Sequence, residues 1–231
     1  MFIGVIGATG NIGQHLVAEA AARGHRVLGF TRNVGAAPQR SNVSWASLDI
    51  FDTAAVAAVL PGLDVLVSLY QPGNAAVDFD ATVRESIADP TVYATAAHSL
   101  LSALNTHPRT RLLVVGGAGS LETAPGCTMA DEENLGAILE TIGLPAEYAT
   151  AVRGHRDALN VYRTSNRQWT YLSPAGEIGP GERTGRYRVG GDQPVVDGEG
   201  RSRISFADAA VALLDEIENP RFIQRRFTIG Y

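Results

Sequence analysis

The stretch Gly7-Ala8-Thr9-Gly10-Asn11-Ile12-Gly13 decides the fold of this chain. An apolar run at residues 2–6 precedes it and is typical of a buried strand, whereas the alanine-rich residues 14–22 predict a helix. A second apolar run, residues 26–30, completes a strand–turn–helix–strand unit. Backbone N–H groups at a helix N-terminus attract anions, so this context predicts a dinucleotide pyrophosphate site. The alternative is a tight turn that binds nothing.

The glycine-rich turn supplies the first predicted cofactor contacts. Its three glycines allow a tight turn and a close backbone approach, and the residues between them bring neighbouring backbone donors to the pyrophosphate. The contacts predicted here are Gly7, Thr9, Gly10, Asn11, Ile12 and Gly13.

The end of the second strand favours one form of the cofactor. An acidic residue at this position would hold a ribose 2′-hydroxyl, but the chain has Thr31-Arg32-Asn33 here. Arg32 suits a 2′-phosphate, so the sequence favours NADP, with NAD as the alternative. Arg40 could play the same part, and the alternative for Arg32 is a solvated surface arginine with no ligand.

Three further apolar runs predict more strands, at residues 43–48, 64–69 and 111–115. Five strands alternating with helices predict an α/β fold with a Rossmann-like, doubly wound parallel sheet. Ligands of such a sheet lie at the carboxyl ends of the strands. The remaining predicted cofactor contacts are therefore Asp49 and Ile50 beside adenine, and Tyr70, Gly73 and Gly117 beside the nicotinamide. They belong to three strand exits, at residues 49–50, 70–74 and 116–120.

The second half of the chain has a less regular pattern. A loop is predicted over 121–131, helices over 134–141 and 146–163, a sixth strand over 168–173, a helix over 209–218 and a last strand over 226–231. Residues 174–204 are rich in glycine, proline and arginine, and we expect them to form a small C-terminal substrate lobe. We expect one NAD(P)-binding domain over residues 1–231 that contains this lobe.

Composition narrows the class of protein. The net charge of −5 argues against a nucleic-acid groove, and no apolar run reaches the roughly 20 residues of a membrane span. The apolar N-terminus belongs to the first strand rather than to a signal peptide. Cys127 is the single cysteine, which favours a reducing cytoplasm. The five histidines have no zinc-type spacing, so we expect no metal.

All nineteen basic residues are arginine, and the chain contains no lysine. A biased genome explains such a composition without reference to function. The chemical consequence is the same in either case. No lysine with an adjustable pKa can take part in catalysis, because arginine stays charged at any ordinary pH.

Several stretches make the chain resemble an atypical short-chain dehydrogenase/reductase, and more narrowly the NmrA-like and biliverdin-reductase-B-like group of NAD(P)H-flavin reductases. Together they span nearly the whole chain. They are the glycine-rich turn and residues 114–120, 169–174, 180–185 and 204–210. The first is shared by the wider superfamily, and the later ones are more specific to the narrow group.

The resemblance implies a serine–tyrosine–lysine catalytic site, and this chain lacks the lysine. Ordinary members of the superfamily use a serine, a tyrosine and, four residues later, a lysine that lowers the tyrosine pKa. Here Tyr148 is followed at the fourth place by Val152, and Tyr93 by Ala97. Reducing a ketone requires the protein to protonate a poorly basic oxygen, whereas a flavin or quinone delocalises charge and takes protons from water. The missing lysine therefore favours a conjugated acceptor.

Three residues are the candidates for catalytic roles. Ser120 lies near the superfamily's serine and could bond the substrate or the nicotinamide amide, or only cap its loop. Tyr148 and His155 lie two helical turns apart, so they could share a face that lines the site or belong to a packed core stripe. His155 is the best histidine candidate for a proton donor.

The sequence thus predicts an NADP(H)-dependent oxidoreductase that passes hydride to a flavin, quinone or similar small-molecule acceptor. A non-catalytic redox sensor of the NmrA type is the main alternative, and an epimerase or dehydratase ranks lower because those enzymes also need the tyrosine–lysine pair. Nucleic-acid and membrane partners are not expected, and exposed helix faces beside the sheet would permit a homodimer. Arg183, Arg186 and Arg188 form a basic stripe that could attract an anionic acceptor or simply be solvated.

Overall fold

A computed structural model describes residues 1–73 and 76–231. Asn74 and Ala75 lie outside the described residues, and the predicted fourth-strand exit, residues 70–74, ends on the first of them. Within the described ranges, no helix is long and apolar enough to cross a bilayer.

In the part of the chain that the structure describes, there are twelve strands and seven α-helices. The strands are β1 Phe2–Ile6, β2 Arg26–Phe30, β3 Val43–Ala46, β4 Val65–Ser68, β5 Arg111–Val115, β6 Glu122–Ala124, β7 Cys127–Thr128, β8 Trp169–Leu172, β9 Glu177–Gly179, β10 Arg188–Gly190, β11 Arg203–Ser205 and β12 Arg225–Gly230. The helices are α1 Asn11–Ala22, α2 Thr53–Val59, α3 Phe79–Ala88, α4 Val92–Ala103, α5 Leu135–Thr141, α6 Ala149–Arg163 and α7 Phe206–Glu218.

Eight strands form the main sheet in the order β10-β12-β8-β5-β4-β1-β2-β3. Seven of them run parallel, and β10 joins the edge antiparallel to β12. The chain leaves β1 in one direction toward β3 and in the other toward β12, which places a topological switch point between β1 and β4. The prediction of a Rossmann-like, doubly wound sheet is confirmed, and ligands of such sheets bind at this point.

The sheet separates two apolar cores because successive strand residues point to opposite faces. In β4, Val65 and Val67 pack toward α1 and α7, whereas Leu66 packs toward α2, α4 and α6. The same alternation in β5 places Leu113 on the first face and Leu112 on the second. These central strands are buried on both faces, which explains why their sequences read as continuous apolar runs.

The element boundaries differ from the predictions at a few places. Strand β3 ends at Ala46, two residues before the predicted end, and the loop predicted over 121–131 contains the short β6–β7 hairpin. Helix α7 begins at Phe206 rather than Ala209, since the Ser205 hydroxyl accepts a hydrogen bond from the Asp208 N–H and caps it there. The sequence pattern of residues 75–90 predicts a loop and part of a helix, and the structure has helix α3 at Phe79–Ala88.

Residues 174–204 contain three short strands. Strand β9 pairs in parallel with β11, and β10 extends the main sheet. Arg183 of this segment forms a two-nitrogen ion pair with Glu19 on α1, each contact 2.7 Å long. Arg188 donates to the carbonyl oxygens of Val196 and Tyr231. Two members of the predicted basic stripe therefore already have partners within the fold.

Candidate functional site

The glycine turn between β1 and α1 has space for backbone only. Gly7 has φ of +76°, and a Cβ on it would lie 2.8 Å from the Leu69 carbonyl oxygen. A Cβ on Gly13 would lie 2.1 Å from the Gly7 carbonyl oxygen. Real side chains do not fit at such distances, so these glycines let the turn, α1 and the exit of β4 approach closely.

The N-terminus of α1 offers backbone donors. Gly10 is the extended N-cap residue and provides no side-chain cap, and the first turn holds no acidic residue. The N–H groups of Asn11, Ile12 and Gly13 have no acceptor within the helix, as helix geometry requires of a first turn. A cradle that excludes side chains and presents free N–H groups fits a pyrophosphate.

Other predicted cofactor residues lie at the strand exits beside this turn. Arg32 is exposed at the end of β2, and its Nη2 donates to the Gly73 carbonyl oxygen at 2.8 Å. Asp49 is exposed and accepts a bond from the Phe51 N–H, while Ile50 is buried. The Thr9 hydroxyl lies 3.4 Å from that of Thr31.

Strand β5 ends in glycines that are pressed against neighbouring side chains. A Cβ on Gly116 would overlap the Tyr171 phenol, and one on Gly117 would lie 3.0 Å from the His155 ring. The Tyr171 hydroxyl donates to the His155 carbonyl oxygen at 3.0 Å. Backbone of the β5 exit therefore lies directly on α6 and β8, which makes this wall of the site rigid.

A chain of aromatic rings joins the β4 exit to α6, and we call Phe51, Tyr70, Tyr93 and His155 the aromatic cluster. Phe51 and Tyr70 meet edge to face with centroids 5.5 Å apart, and Tyr70 and Tyr93 are 6.4 Å apart. Tyr93 and His155 lie closest, at 3.8 Å. Their contact joins residues 62 positions apart, and the single sequence gave no sign of it.

Hydrogen bonds join Tyr93 of this cluster, and the nearby Tyr148, to polar side chains. The Gln71 amide donates to the Tyr93 hydroxyl at 3.1 Å, which in turn donates to the Ser86 hydroxyl at 3.0 Å. A further bond joins Gln71 to Tyr148. Burial raises the pKa of Tyr70 to about 12 and also raises the pKa of Tyr93 and Tyr148. All three phenols are therefore protonated at neutral pH.

His155 is a buried imidazole with 8% of its surface exposed. Burial lowers its pKa to about 4, so the ring is neutral at pH 7. Among the described residues, its ring nitrogens have no hydrogen-bond partner, and neither nitrogen is completely enclosed by protein. Tyr148 and His155 thus lie together around Tyr93, as two groups able to donate a hydrogen bond without carrying charge.

Ser120 lies apart from these groups. Its side chain is fully buried, and its hydroxyl donates to the Gly117 carbonyl oxygen at 2.8 Å. It also contacts the Ser173 hydroxyl at 2.8 Å. The hydroxyl therefore links the β5 exit to the β8 exit by hydrogen bonds.

Arg226 on β12 is a structural member of the site that the sequence did not reveal. Its guanidinium donates to the Ser120 carbonyl oxygen and to the Asp192 carboxylate, and the side chain is 2% exposed. It thereby links the β5 exit to the turn after β10, inside the predicted substrate lobe. The available signal was an arginine directly before the apolar residue Phe227 in this strand.

Over residues 1–73 and 76–231, no three His, Cys, Asp or Glu side chains are grouped as metal ligands. This edge of the sheet offers backbone donors, neutral phenols and the neutral His155 imidazole, with charged Arg32 and Asp49 at its exposed strand exits. They surround the carboxyl ends of β1, β2, β4 and β5, where the switch point places a ligand.

Comparison with known proteins agrees with this geometry. Residues 7–217 match the model of the NAD(P)H-binding family, and the chain belongs to that family. The match begins at the first glycine of the turn and extends almost to the end of α7. The family is thus defined by NAD(P)H binding, and the fold that carries it here is the Rossmann-like parallel sheet.

Three solved structures are similar along the whole chain. A candidate exported protein from Burkholderia pseudomallei is 39% identical with a TM-score of 0.81, and all of both chains align. A candidate epimerase from Bacteroides thetaiotaomicron is 31% identical with a TM-score of 0.81, covering 100% of this chain and 96% of that one. A candidate NADH-flavin reductase from Streptococcus pneumoniae TIGR4 is 28% identical with a TM-score of 0.80, covering 100% and 99%. One fold is thus shared by differently named proteins, so the fold alone does not define the reaction.

Proposed function

We propose that this protein is an NADP(H)-dependent reductase whose acceptor is a flavin, a quinone or a similar conjugated ring. The observation that carries the proposal is the neutral character of the groups around Tyr93. Protonated Tyr148, neutral His155 and the Gln71 amide can orient an acceptor by hydrogen bonds. None of them has a pKa near 7, where a general acid works best.

The residues of the glycine turn would hold the cofactor. The free N–H groups at the start of α1 meet its pyrophosphate, and Gly7 and Gly13 keep side chains out of its way. Reduced nicotinamide, when bound, supplies a hydride. The acceptor takes that hydride together with a proton from water, so no protein acid has to be consumed.

The walls of the site would orient the two rings and exclude water. The β5 exit cannot move far, because Gly116 and Gly117 already touch Tyr171 and His155. Phe51 is exposed and Tyr70 is half-buried, so these two rings of the aromatic cluster would be the ones to meet a flat acceptor. Positioning and exclusion of water are what a protein adds when the reactants carry the chemistry.

Arg32 supports NADP as the preferred form. It stands alone at the β2 exit without the acid that would bind a 2′-hydroxyl, and it is exposed enough to reach a phosphate. The bond from Arg32 to Gly73 occupies Nη2 only. The single exposed cysteine, Cys127, supports a reducing cytoplasm as the place of action.

A direct test follows NADPH on the purified protein. NADPH is first titrated by fluorescence, and its oxidation is then followed with riboflavin, menadione and a simple ketone. We expect turnover with the first two and none with the ketone. Oxidation with ketones but never with flavins or quinones would overturn the proposal.

The same neutral groups favour a second candidate, a redox sensor that binds the dinucleotide without turning it over. Tight NADPH binding with no oxidation by any acceptor would support it. A change in the apparent size of the protein on adding NADP⁺ or NADPH to a lysate, measured by gel filtration, would then be the next observation to seek.

A further inference from the structure

His155 is held in place by packing on several sides. Its ring lies against Tyr93 with centroids 3.8 Å apart, and its backbone carbonyl oxygen accepts a bond from the Tyr171 hydroxyl at 3.0 Å. A Cβ on the preceding Gly154 would lie 2.3 Å from the Pro90 carbonyl oxygen, so α6 already packs as closely as backbone allows at this point. The imidazole is therefore fixed without any hydrogen bond of its own.

The His155 imidazole is buried but its nitrogens are not sealed off. Only 8% of the residue is exposed, and its ring nitrogens have no hydrogen-bond partner among the described residues. Neither nitrogen is completely enclosed by protein. Buried polar atoms in folded proteins nearly always have a partner, whether protein, water or ligand. A rigid, unpartnered ring of this kind is suited to bind a group that the fold does not itself supply.

The surroundings of the ring show where its nitrogens open. The atoms nearest the Cβ position of Gly117 are the His155 carbons Cδ2, Cγ and Cβ, at 3.0, 3.1 and 3.2 Å, so both nitrogens lie farther from that glycine. Gly117 belongs to the β5 exit. Tyr93, on the ring face, is joined to the β4 exit by the Gln71 amide. The nitrogens therefore open between the exits of β4 and β5.

The order of the strands indicates which molecule reaches this place. The phosphate turn follows β1, which lies between β4 on one side and β2 on the other. Arg32 at the β2 exit would meet the adenosine half of the cofactor, so the nicotinamide half extends the other way, over β4 and β5. The more exposed rings, Phe51 and Tyr70, are the ones open to an acceptor. The deeper His155 lies on the cofactor side.

We propose that His155 hydrogen-bonds the nicotinamide half of the cofactor and so positions the hydride donor. The inference rests on the proposed function, because it assigns a role toward the nicotinamide of that reaction. The ribose hydroxyls and the carboxamide of this half are neutral groups that both donate and accept hydrogen bonds. A neutral imidazole offers one donor and one acceptor to match them, and it adds no charge beside the cationic oxidised ring.

Nitrogen NMR of the histidine rings tests this contact in the unaltered protein. The His155 resonances are identified by their absence in His155→Phe. They are also identified as those of a ring that stays neutral at pH 5.5, where exposed histidines are charged. The second criterion serves if the variant does not fold.

Three ligands are compared by this measurement. NADP⁺ contains the whole nicotinamide half, 2′-phospho-ADP-ribose keeps only its ribose, and adenosine 2′,5′-bisphosphate has neither part. We expect NADP⁺ to shift a His155 nitrogen resonance and the bisphosphate to leave it in place. An additional shift with 2′-phospho-ADP-ribose would identify the ribose as the partner, and a shift with NADP⁺ alone would identify the carboxamide.

His155→Phe gives the matching binding measurement, because it keeps a ring on Tyr93 and removes both nitrogens. We expect its Kd for NADP⁺ to rise about fivefold, as for the loss of one neutral hydrogen bond, while its Kd for adenosine 2′,5′-bisphosphate stays unchanged. His98→Phe is the matched control, since it makes the same substitution at an exposed histidine of α4. Both Kd values of this control should equal those of the wild type.

The outcomes separate this inference from the acceptor reaction. NADP⁺ that binds without shifting the His155 resonances would overturn the inference and leave the reductase intact, as would an equal shift with adenosine 2′,5′-bisphosphate. A rise in Kd that is equal for both ligands in His155→Phe would also overturn it, since that result indicates a structural role alone. Contact of NADP⁺ with His155 but no oxidation of NADPH by any acceptor would support the inference and contradict the reductase.

Discussion

The glycine turn and the aromatic cluster both lie at the edge of the sheet formed by the carboxyl ends of its strands, yet they are built in different ways. The turn is made of backbone, and seven consecutive residues contain all of it. The aromatic cluster is made of side chains from four separate stretches, between Phe51 and His155.

This difference separates the part of the site that would hold the cofactor from the part that would meet the acceptor. A backbone cradle depends on where side chains are absent, so a side chain added at Gly7 or Gly13 would disrupt it. A wall of side chains can change residue by residue while the fold stays the same. The three similar structures with different names are consistent with this division.

The largest expected effect comes from adding atoms to the turn. In Gly13→Val, the new Cβ would meet the Gly7 carbonyl oxygen at 2.1 Å, and backbone cannot give way as a flexible side chain can. We expect NADPH binding to weaken by about 3 kcal/mol or more, about 100-fold in Kd. Fluorescence titration measures the Kd, and circular dichroism checks that the variant is folded.

Gly198→Ala is the control for that change. Gly198 has open space at its Cβ position and no positive φ, so its Kd for NADPH and its melting temperature should match the wild type. An unchanged Kd in folded Gly13→Val would mean that the turn does not hold the cofactor.

Much of the turn region could be predicted from the sequence, and much of the aromatic cluster could not. Gly7, Gly10 and Gly13 lie in one short motif, between an apolar run and an alanine-rich run, so the tight turn follows from local sequence. The contact of Tyr93 with His155, or of Arg226 with Asp192, depends on how distant elements pack, and one sequence carries no record of that. The direction of the Ser120 hydroxyl, toward Ser173, is set by the same packing.

The second effect concerns the pH dependence of stability through His155. Its folded pKa of about 4 lies below the ordinary 6.5, so the unfolded chain binds a proton first as the pH falls. The full stability is present above pH 6.5 and is lost progressively down to about pH 4. We expect His155 to account for about 2 kcal/mol of lost unfolding free energy between pH 7.5 and pH 5.

His155→Phe keeps a ring on Tyr93 and should remove that part of the pH dependence, as measured by urea unfolding at the two pH values. Exposed His98→Gln should keep the full wild-type dependence. An equal loss of stability in wild type and His155→Phe would show that the imidazole is not buried in its neutral form.

The third effect distinguishes the two cofactors. Arg32→Gln removes the charge proposed to meet the 2′-phosphate, and we expect the Kd for NADPH to rise about tenfold while that for NADH stays within twofold. Arg40→Gln is the matched control for the other arginine of this region. If Arg40→Gln alone raised the NADPH Kd, the role would belong to Arg40.

The smallest effect tests whether the two regions are separable. Arg226→Lys keeps the charge but loses the planar fork that joins Ser120 to Asp192. We expect kcat/KM for riboflavin to fall about fivefold, mainly through KM, with the NADPH Kd unchanged within twofold. Equal losses in acceptor and cofactor binding would indicate a general loss of structure, as would a lowered melting temperature alone.

The most direct test of the account is a single-turnover reaction of the NADPH complex with riboflavin, followed by absorbance without oxygen. Reduced nicotinamide deuterated at the transferred position is compared with the ordinary form. We expect NADPH to be oxidised at the rate at which riboflavin is reduced, with a primary isotope effect. Tight NADPH binding with no oxidation, by riboflavin or by any quinone, would contradict it.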